Sequence, residues 1–371
     1  MNRIAHIYRL GLKELISIRY DYILIIFLVY SFSVMIIVTA KGTGLQVNNA
    51  SVAIVDEDQS LLSARIREAI HKPYFQKPRD LTFPEIGITL DRSVYTFIID
   101  IPPEFQKDVL AGRQPEIHID VDGTAIGHAK MGTTYLKKMI AAEISTYLLG
   151  ERKTPAPSVQ QIVRVRYNPN RQNTWFMGLM MLVNMITMLS IILPAAALLR
   201  EREHGTVEHL LVMPLSPSEI MIAKVWANSL VVLTGAILSL WLVVRGILHA
   251  PIQGSFLLFL AGTVVYLFAT TGLGIFLATI ARNGPQMGLL SLPVITPISM
   301  LSGGMTPREA MPEFLQTLMS FVPTTHYVEF SSAVLLRGAG AAIVWEQLAA
   351  MAGIAMILFI SALLRFRATF R

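Results

Sequence analysis

The chain has 371 residues, of which 53% are hydrophobic and only 15% charged. An ordinary soluble domain carries about 25% charged residues, so this composition excludes an ordinary soluble protein. The formal charge of +6 and the absence of cysteine exclude less. No run of five or six basic residues and no aromatic-basic motif marks a nucleic-acid site. Disulfides, thiolate zinc sites, iron–sulfur clusters and a cysteine nucleophile are ruled out.

Residues 3–19 read as an amphipathic helix. Ile4, Ile7, Tyr8, Leu12, Leu15 and Ile16 recur at helical spacing, while Arg3, Arg9 and Lys13 lie off that stripe. A basic face opposite an apolar one suits a helix lying at the membrane interface, in contact with lipid.

Six stretches lack Asp, Glu, Lys and Arg: Tyr22–Ala40, Trp175–Leu199, Val225–Val244, Phe256–Ile280, Met287–Met305 and Gln347–Leu364. Each has 18 to 25 residues, against the roughly 20 needed to cross a bilayer core of about 30 Å. The fold class is therefore an α-helical polytopic membrane protein with six transmembrane helices and an inserted small α/β external domain. Val38 and Ala40 would suit signal-peptide cleavage, but the apolar stretch outruns such a segment and a helix precedes it, so the first span is expected to stay.

Six spans place both termini on one side. That side, with the 200–224 and 281–286 loops, holds eleven basic residues; the short loops opposite hold Arg245, Arg308 and Arg337. The positive-inside rule makes the termini cytoplasmic. The division expected is 1–20 interfacial helix, 21–40 first span, 41–173 external domain and 174–371 spans two to six. Within the last, 200–218 is a cytoplasmic loop and 302–345 an outer re-entrant hairpin.

The 41–173 segment has 17 basic and 15 acidic residues, as expected of a solvated domain. Ser51–Val55, Val94–Asp100, Glu116–Asp122 and Ile162–Tyr167 read as strands. Leu61–His71 (N-cap Ser60), the run from Pro102-Pro103 to Leu110, and Ile126–Leu149 read as helices. His118 and His128 lie close to Asp120 and Asp122, but nothing gathers them around a reacting atom.

After span two comes Arg200-Glu201-Arg202-Glu203-His204-Gly205-Thr206-Val207-Glu208-His209-Leu210, then the apolar Leu210–Leu215. Taken as charges alone, this is a solvated run ending a span. Gly205 permits a tight turn, however, and an apolar patch in a loop calls for a partner. His204 and Glu208 share a helix face, but two ligands do not make a zinc site.

The run resembles the signature of permeases of type 2 ATP-binding-cassette (ABC) exporters, whose core is Glu–x–Gly–Thr, here Glu203-His204-Gly205-Thr206. The resemblance covers nearly the whole chain. Leu301-Ser302-Gly303-Gly304-Met305-Thr306-Pro307, followed by Met311-Pro312, looks like that family's outer turn. The large external insertion is similar to drug-efflux-type members; simpler members lack it, so inferences about outer partners rest on that subset. The resemblance implies that Arg202, Glu203, Gly205, Thr206 and Glu208 couple to a separate ABC ATPase subunit. It also implies a second permease as homo- or heterodimer partner, a periplasmic adaptor, and export of an amphiphilic or hydrophobic, drug-like substrate across a bacterial inner membrane. The chain has no GxxxxGK[ST] loop, so no catalytic, cofactor-binding or metal residue is expected in it, and ATP is used by the partner.

On span two, Met177, Met181, Asn184 and Met188 form one stripe, suited to flexible apolar contacts in a pathway or to packing at a dimer interface. Asn184 and Asn228 suit interhelical hydrogen bonds, and Arg245 suits snorkelling. His326, beside Thr324, Thr325 and Tyr327, suits an interfacial structural role. Spans free of carboxylates disfavour a proton relay. The rival class is a non-conducting, ATP-coupled signalling or mechanical module that senses through the external domain.

Overall fold

The computed structural model describes residues 3–42, 50–71, 74–91, 94–121, 126–149, 173–203, 205, 216–306, 308 and 311–369. These divide into two units, Gly44–Asn173 and the remainder of the chain.

In the first unit, β1 (Val52–Asp56), β2 (Arg79–Asp80), β3 (Phe97–Ile101) and β4 (His118–Val121) form a sheet of order β2-β1-β3-β4. β1 is parallel to β2 and β3, whereas β4 runs antiparallel to β3. Val52, Ala53, Ile54 and Val55 are all buried, as a parallel strand covered on both faces requires. Val52, Ile54, Phe97 and Ile99 pack with Leu62, Ile66, Phe105 and Leu136; Ala53, Val55 and Ile98 pack on the other face with Leu81 and Ile86. The expected strand at 162–167 lies outside the described residues. β2 and the helix Glu85–Asp91 escaped the sequence reading because neither has a sustained apolar period.

Asp100 has a buried Oδ1 without a hydrogen-bond partner. Burial chiefly, then Glu57 nearby, pushes its carboxyl above the usual range, with His118 partly offsetting them. A carboxyl raised on folding stabilises the fold below its unfolded pKa and loses that contribution as pH rises through the raised value. Asp100→Asn is therefore expected to raise the unfolding midpoint at neutral pH while changing it little below the unfolded pKa of about 3.9, where the carboxyl is protonated in both states. A lowered midpoint at neutral pH would reject this reading.

In the second unit, α1 (Arg3–Arg19) precedes α2 (Tyr22–Phe32) and α3 (Val34–Gly42). The later helices are α8 (Asn173–Glu203), α9 (Pro217–Leu238), α10 (Phe256–Ile280), α11 (Gly284–Leu301), α12 (Glu313–Ser320), α13 (Pro323–Ser331) and α14 (Ala341–Thr369). In the first unit, α4 to α7 are Leu61–Ala69, Glu85–Asp91, Phe105–Leu110 and Ile126–Leu149. A π-helical segment, Ser239–Ile247, continues α9, and Arg245 lies over the Trp241 ring at 4.6 Å.

Five helices among the described residues are long and apolar enough to cross a membrane: Tyr22–Gly42, Asn173–Glu203, Pro217–Ile247, Phe256–Ile280 and Ala341–Ala368. The expected span at Met287–Met305 is the helix α11, but it is not one of these five. Gly284, Pro285 and Gln286 at its start, with Pro293 and Pro297 inside it, dilute its apolarity. The segment expected to form a hairpin, 302–345, contains α12 and α13, with Pro323 in the first turn of α13.

Two kinds of contact stand out within the apolar packing of the helices. One is close backbone approach at glycine: a Cβ on Gly274 of α10 would overlap the Ile191 carbonyl of α8, and one on Gly262 would meet the Phe330 ring. The other is a buried hydroxyl network. Tyr266 Oη lies 2.6 Å from Thr187 Oγ1 and 2.8 Å from Thr324 Oγ1, and Thr263 Oγ1 lies 2.9 Å from Tyr327 Oη. The two tyrosine rings stack at 4.0 Å. Phenol and threonine hydroxyls satisfy one another where no water is available, joining α8, α10 and α13.

Candidate functional site: the charged end of the second span

The end of α8 is braced on the turn between α10 and α11. Arg202 Nη1 donates to the Ala281 carbonyl at 3.0 Å, and Glu203 Oε1 accepts from the Gly284 N–H at 3.0 Å. Gly284 opens α11, so the carboxylate satisfies a first-turn N–H that the helix itself leaves unpaired. Gly205 follows with φ of +67°, a left-handed conformation that glycine takes without cost. Its N–H donates to the Arg202 carbonyl at 3.1 Å.

The loop re-enters the bundle through a firm cap. Ser216 is the N-cap of α9: its hydroxyl accepts from the Glu219 N–H, and Glu219 Oε2 accepts from the Ser216 N–H at 2.7 Å. Pro217 supplies the first-turn φ of the helix. The segment 206–215, with Thr206 and Glu208, lies outside the described residues.

About two turns into α9 lies an ionic cluster. Lys224 of α9 is 3% exposed, and its Nζ lies 2.6 Å from Glu14 Oε1 and 2.7 Å from Glu201 Oε2. A buried ammonium between two carboxylates ties α1, α8 and α9 at a single atom. The same pairing of α1 and α9 is reinforced by Trp226, whose Nε1–H donates to the Ile7 carbonyl at 3.2 Å. The Trp226 ring stacks on Tyr8 and packs on Gly11.

The structure thus sets Arg202 and Glu203 on the 281–284 turn and, separately, gathers Glu14 and Glu201 on Lys224. Glu14 and Glu201 were missed as site residues. The available signal was Lys224, a lone ammonium directly before an apolar span, which needs carboxylate company when buried.

The methionine stripe is divided. Met181 is buried in the core of the bundle, and Met177, Asn184 and Met188 are half-buried. Met180, off the stripe, packs its sulfur against Gly304. Nδ2 of buried Asn228 donates to the Lys224 carbonyl at 2.9 Å, a contact within its own helix. His326 Nε2 lies 2.8 Å from the Ser320 carbonyl, which fixes α12 against α13, and Arg308, ahead of α12, pairs with Glu329 of α13 at 2.6 Å. His118 and Asp120 lie on β4, and Asp122 is outside the described residues. No group of three His, Asp or Glu side chains that could hold a metal occurs among the described residues.

Residues 22–364 match the family described as ABC-2 family transporter protein. Inner membrane transport permease YhhJ of Escherichia coli K12 is 48% identical over 369 residues, covering 100% of this chain and 99% of that protein. Probable multidrug ABC transporter permease YbhR of the same organism is 28% identical over 324 residues, 85% of each chain. A eukaryotic relative, ABC transporter G family member 20 of Dictyostelium discoideum, is 19% identical over 351 residues, 91% of this chain and 47% of that one. Permeases of this family are membrane components that work with a separate ATPase and a paired permease. The chain, with its several apolar helices and its braced loop after the second span, belongs to the ABC-2 family of transporter permeases.

Proposed function

We propose that this chain is the membrane-spanning subunit of an ATP-driven exporter that moves amphiphilic or hydrophobic, drug-like substrates outward across a bacterial inner membrane. α11 serves as the sixth span, and both termini are cytoplasmic. Two copies, or this chain and a related one, form the pathway between their spans. The Gly44–Asn173 unit lies outside and meets a periplasmic adaptor.

The observation that carries the reading is the bracing of the loop after α8. Arg202 and Glu203 hold the 281–284 turn, and Ser216 and Glu219 cap α9. An ATPase that docks on the 200–218 loop and on α1 therefore pushes on anchored helices, and its motion passes to α8, α9 and α11 together. Ile4, Tyr8, Leu12 and Ile16 form an exposed apolar stripe on α1, as an interfacial helix requires. Support for the substrate class comes from the apolar spans and from the multidrug designation of the YbhR relative.

Glu203→Gln keeps the side-chain volume but removes the charge that accepts from Gly284. A hydrogen bond to a charged group is worth about 1.5–3 kcal/mol, so transport-coupled ATP hydrolysis by the assembled complex is expected to fall about tenfold. Affinity purification should still recover the intact permease, with the ATPase reduced or lost when Glu203 and Gly205 are both replaced. Wild-type coupling in these variants would count against the loop. A complex without any ATPase, even after crosslinking, would favour the sensing module instead.

A further inference from the structure

The Gly44–Asn173 unit has a crevice of its own. β1 leaves the sheet toward one face, into α4, whose Leu62 and Ile66 pack with Val52 and Ile54. β2 leaves toward the other face, into α5, whose Ile86 packs with Ala53 and Val55. The two strands are adjacent and parallel. Where neighbouring strands send their exits to opposite faces, a crevice suited to a ligand opens at the carboxyl edge of the sheet. A cavity of about 800 Å³ lies there, between α4, the end of β1 and the turn after β2. That volume falls within the range of small-molecule sites, about 300–1,000 Å³.

Its lining is anionic. Asp56, Glu57, Glu68 and Asp80 share it with a single base, Arg67. Arg67 Nη2 lies 2.6 Å from Asp80 Oδ1 and 3.8 Å from Asp56 Oδ2, so the guanidinium is engaged within the wall. Glu57 and Glu68 are exposed, and their carboxylates form no hydrogen bond or ion pair among the described residues. They stand on different elements, Glu57 just past β1 and Glu68 in the last turn of α4. Ser60, the N-cap of α4, and Glu68 both line the cavity, which therefore runs along roughly 12 Å of helix. Phe83, 59% exposed, adds an apolar ring to the opposite wall.

These features select the ligand. An anion finds no free base in the lining. A metal ion needs converging ligands, and no group of three His, Asp or Glu that could hold one occurs among the described residues. A compact monocation answers one free carboxylate and leaves the other. A flexible chain with two or more ammonium groups reaches both and donates several N–H bonds to carboxylate oxygens. Its methylenes cover Phe83, whose ring face also attracts the charge. We propose that this crevice binds an aliphatic polyamine, a chain of ammonium groups on short methylene spacers, through Glu57 and Glu68. The site does not rest on the export reading, since it requires no ATPase, no second permease and no substrate in the spans.

The test is equilibrium dialysis of labelled spermidine against the intact permease in detergent, without nucleotide, so a failure leaves the transport reading untouched. Saturable binding is expected, weakening as salt is raised. Glu57→Gln and Glu68→Gln should each weaken it about fivefold, the upper value for an exposed ion pair, and the double variant by about the product. Ala64→Trp fills the crevice from an exposed position on α4; it leaves every charge in place and should abolish binding. Glu116→Gln removes an exposed carboxylate outside the crevice and should change nothing. Absence of saturable binding, binding that survives Ala64→Trp, or an equal loss in Glu116→Gln would overturn the proposal. Displacement at lower concentration by tetraphenylphosphonium, trilysine or calcium than by unlabelled spermidine would also overturn it. The site would then belong to a lipophilic cation, a basic peptide segment or a metal ion, respectively.

Discussion

Lys224→Met is expected to destabilise the membrane unit by about 3–5 kcal/mol, the usual cost of removing one partner from a buried ion pair. The methionine fits the space, so the loss is electrostatic: Glu14 and Glu201, 13% and 16% exposed, lose the ammonium that sits between them. α1 should then detach first, because its Glu14 and the Trp226–Ile7 hydrogen bond hold the same stretch of α9. Unfolding of the detergent-solubilised protein, followed by heat or denaturant, reads the loss directly. The triple variant Lys224→Met, Glu14→Gln, Glu201→Gln is expected to recover most of it, since replacing every charge leaves no ion unpaired. A single variant within about 1 kcal/mol of wild type would show that the cluster behaves as a surface ion pair.

Gly274→Val is expected to have the other large effect. The obstacle at Gly274 is the backbone of α8 at Ile191, which no rotamer change can move, so α8 and α10 must separate. Overpacking of this kind costs typically 1–3 kcal/mol and occasionally more. Here the upper end is expected, because separation also stretches the Thr187–Tyr266 hydrogen bond between the same helices. Gly262→Val is the internal control: the obstacle there is the buried Phe330 ring, a side chain whose displacement does not force two backbones apart, so its effect should be smaller. The ratio of correctly folded to aggregated protein on size-exclusion chromatography measures both. Equal losses in the two variants would remove the distinction between backbone and side-chain contact.

Much of the fold is legible along the chain because membrane spans and capped helices are local. Tyr22–Ala40 and Phe256–Ile280 declare themselves by apolar length alone. Ser60 announces its helix by a hydroxyl that satisfies a first-turn N–H three residues on. Ile126–Leu149 emerges with the bounds its helical period predicts. Where the local signal is diluted, the reading slips. The three prolines of Gly284–Leu301 leave a helix less apolar than its neighbours, and β2, only two residues long, has no period to read.

The multi-span pattern, the insertion after the first span and the Arg202-Glu203-x-Gly205 element that resembles a permease signature can all be read along the chain, since each lies in contiguous residues. The sheet order, the Tyr266–Tyr327 hydroxyl network and the Lys224 cluster emerge only when the chain is folded. The physical reason is range. Glu14 and Lys224 are 210 residues apart, and Thr187 and Tyr266 are 79 apart. Hydrophobic periodicity says which face of a helix is apolar, but which neighbour that face meets follows from packing all the helices at once. A charge or hydroxyl that must be buried there finds its partner wherever that packing brings one within about 3 Å.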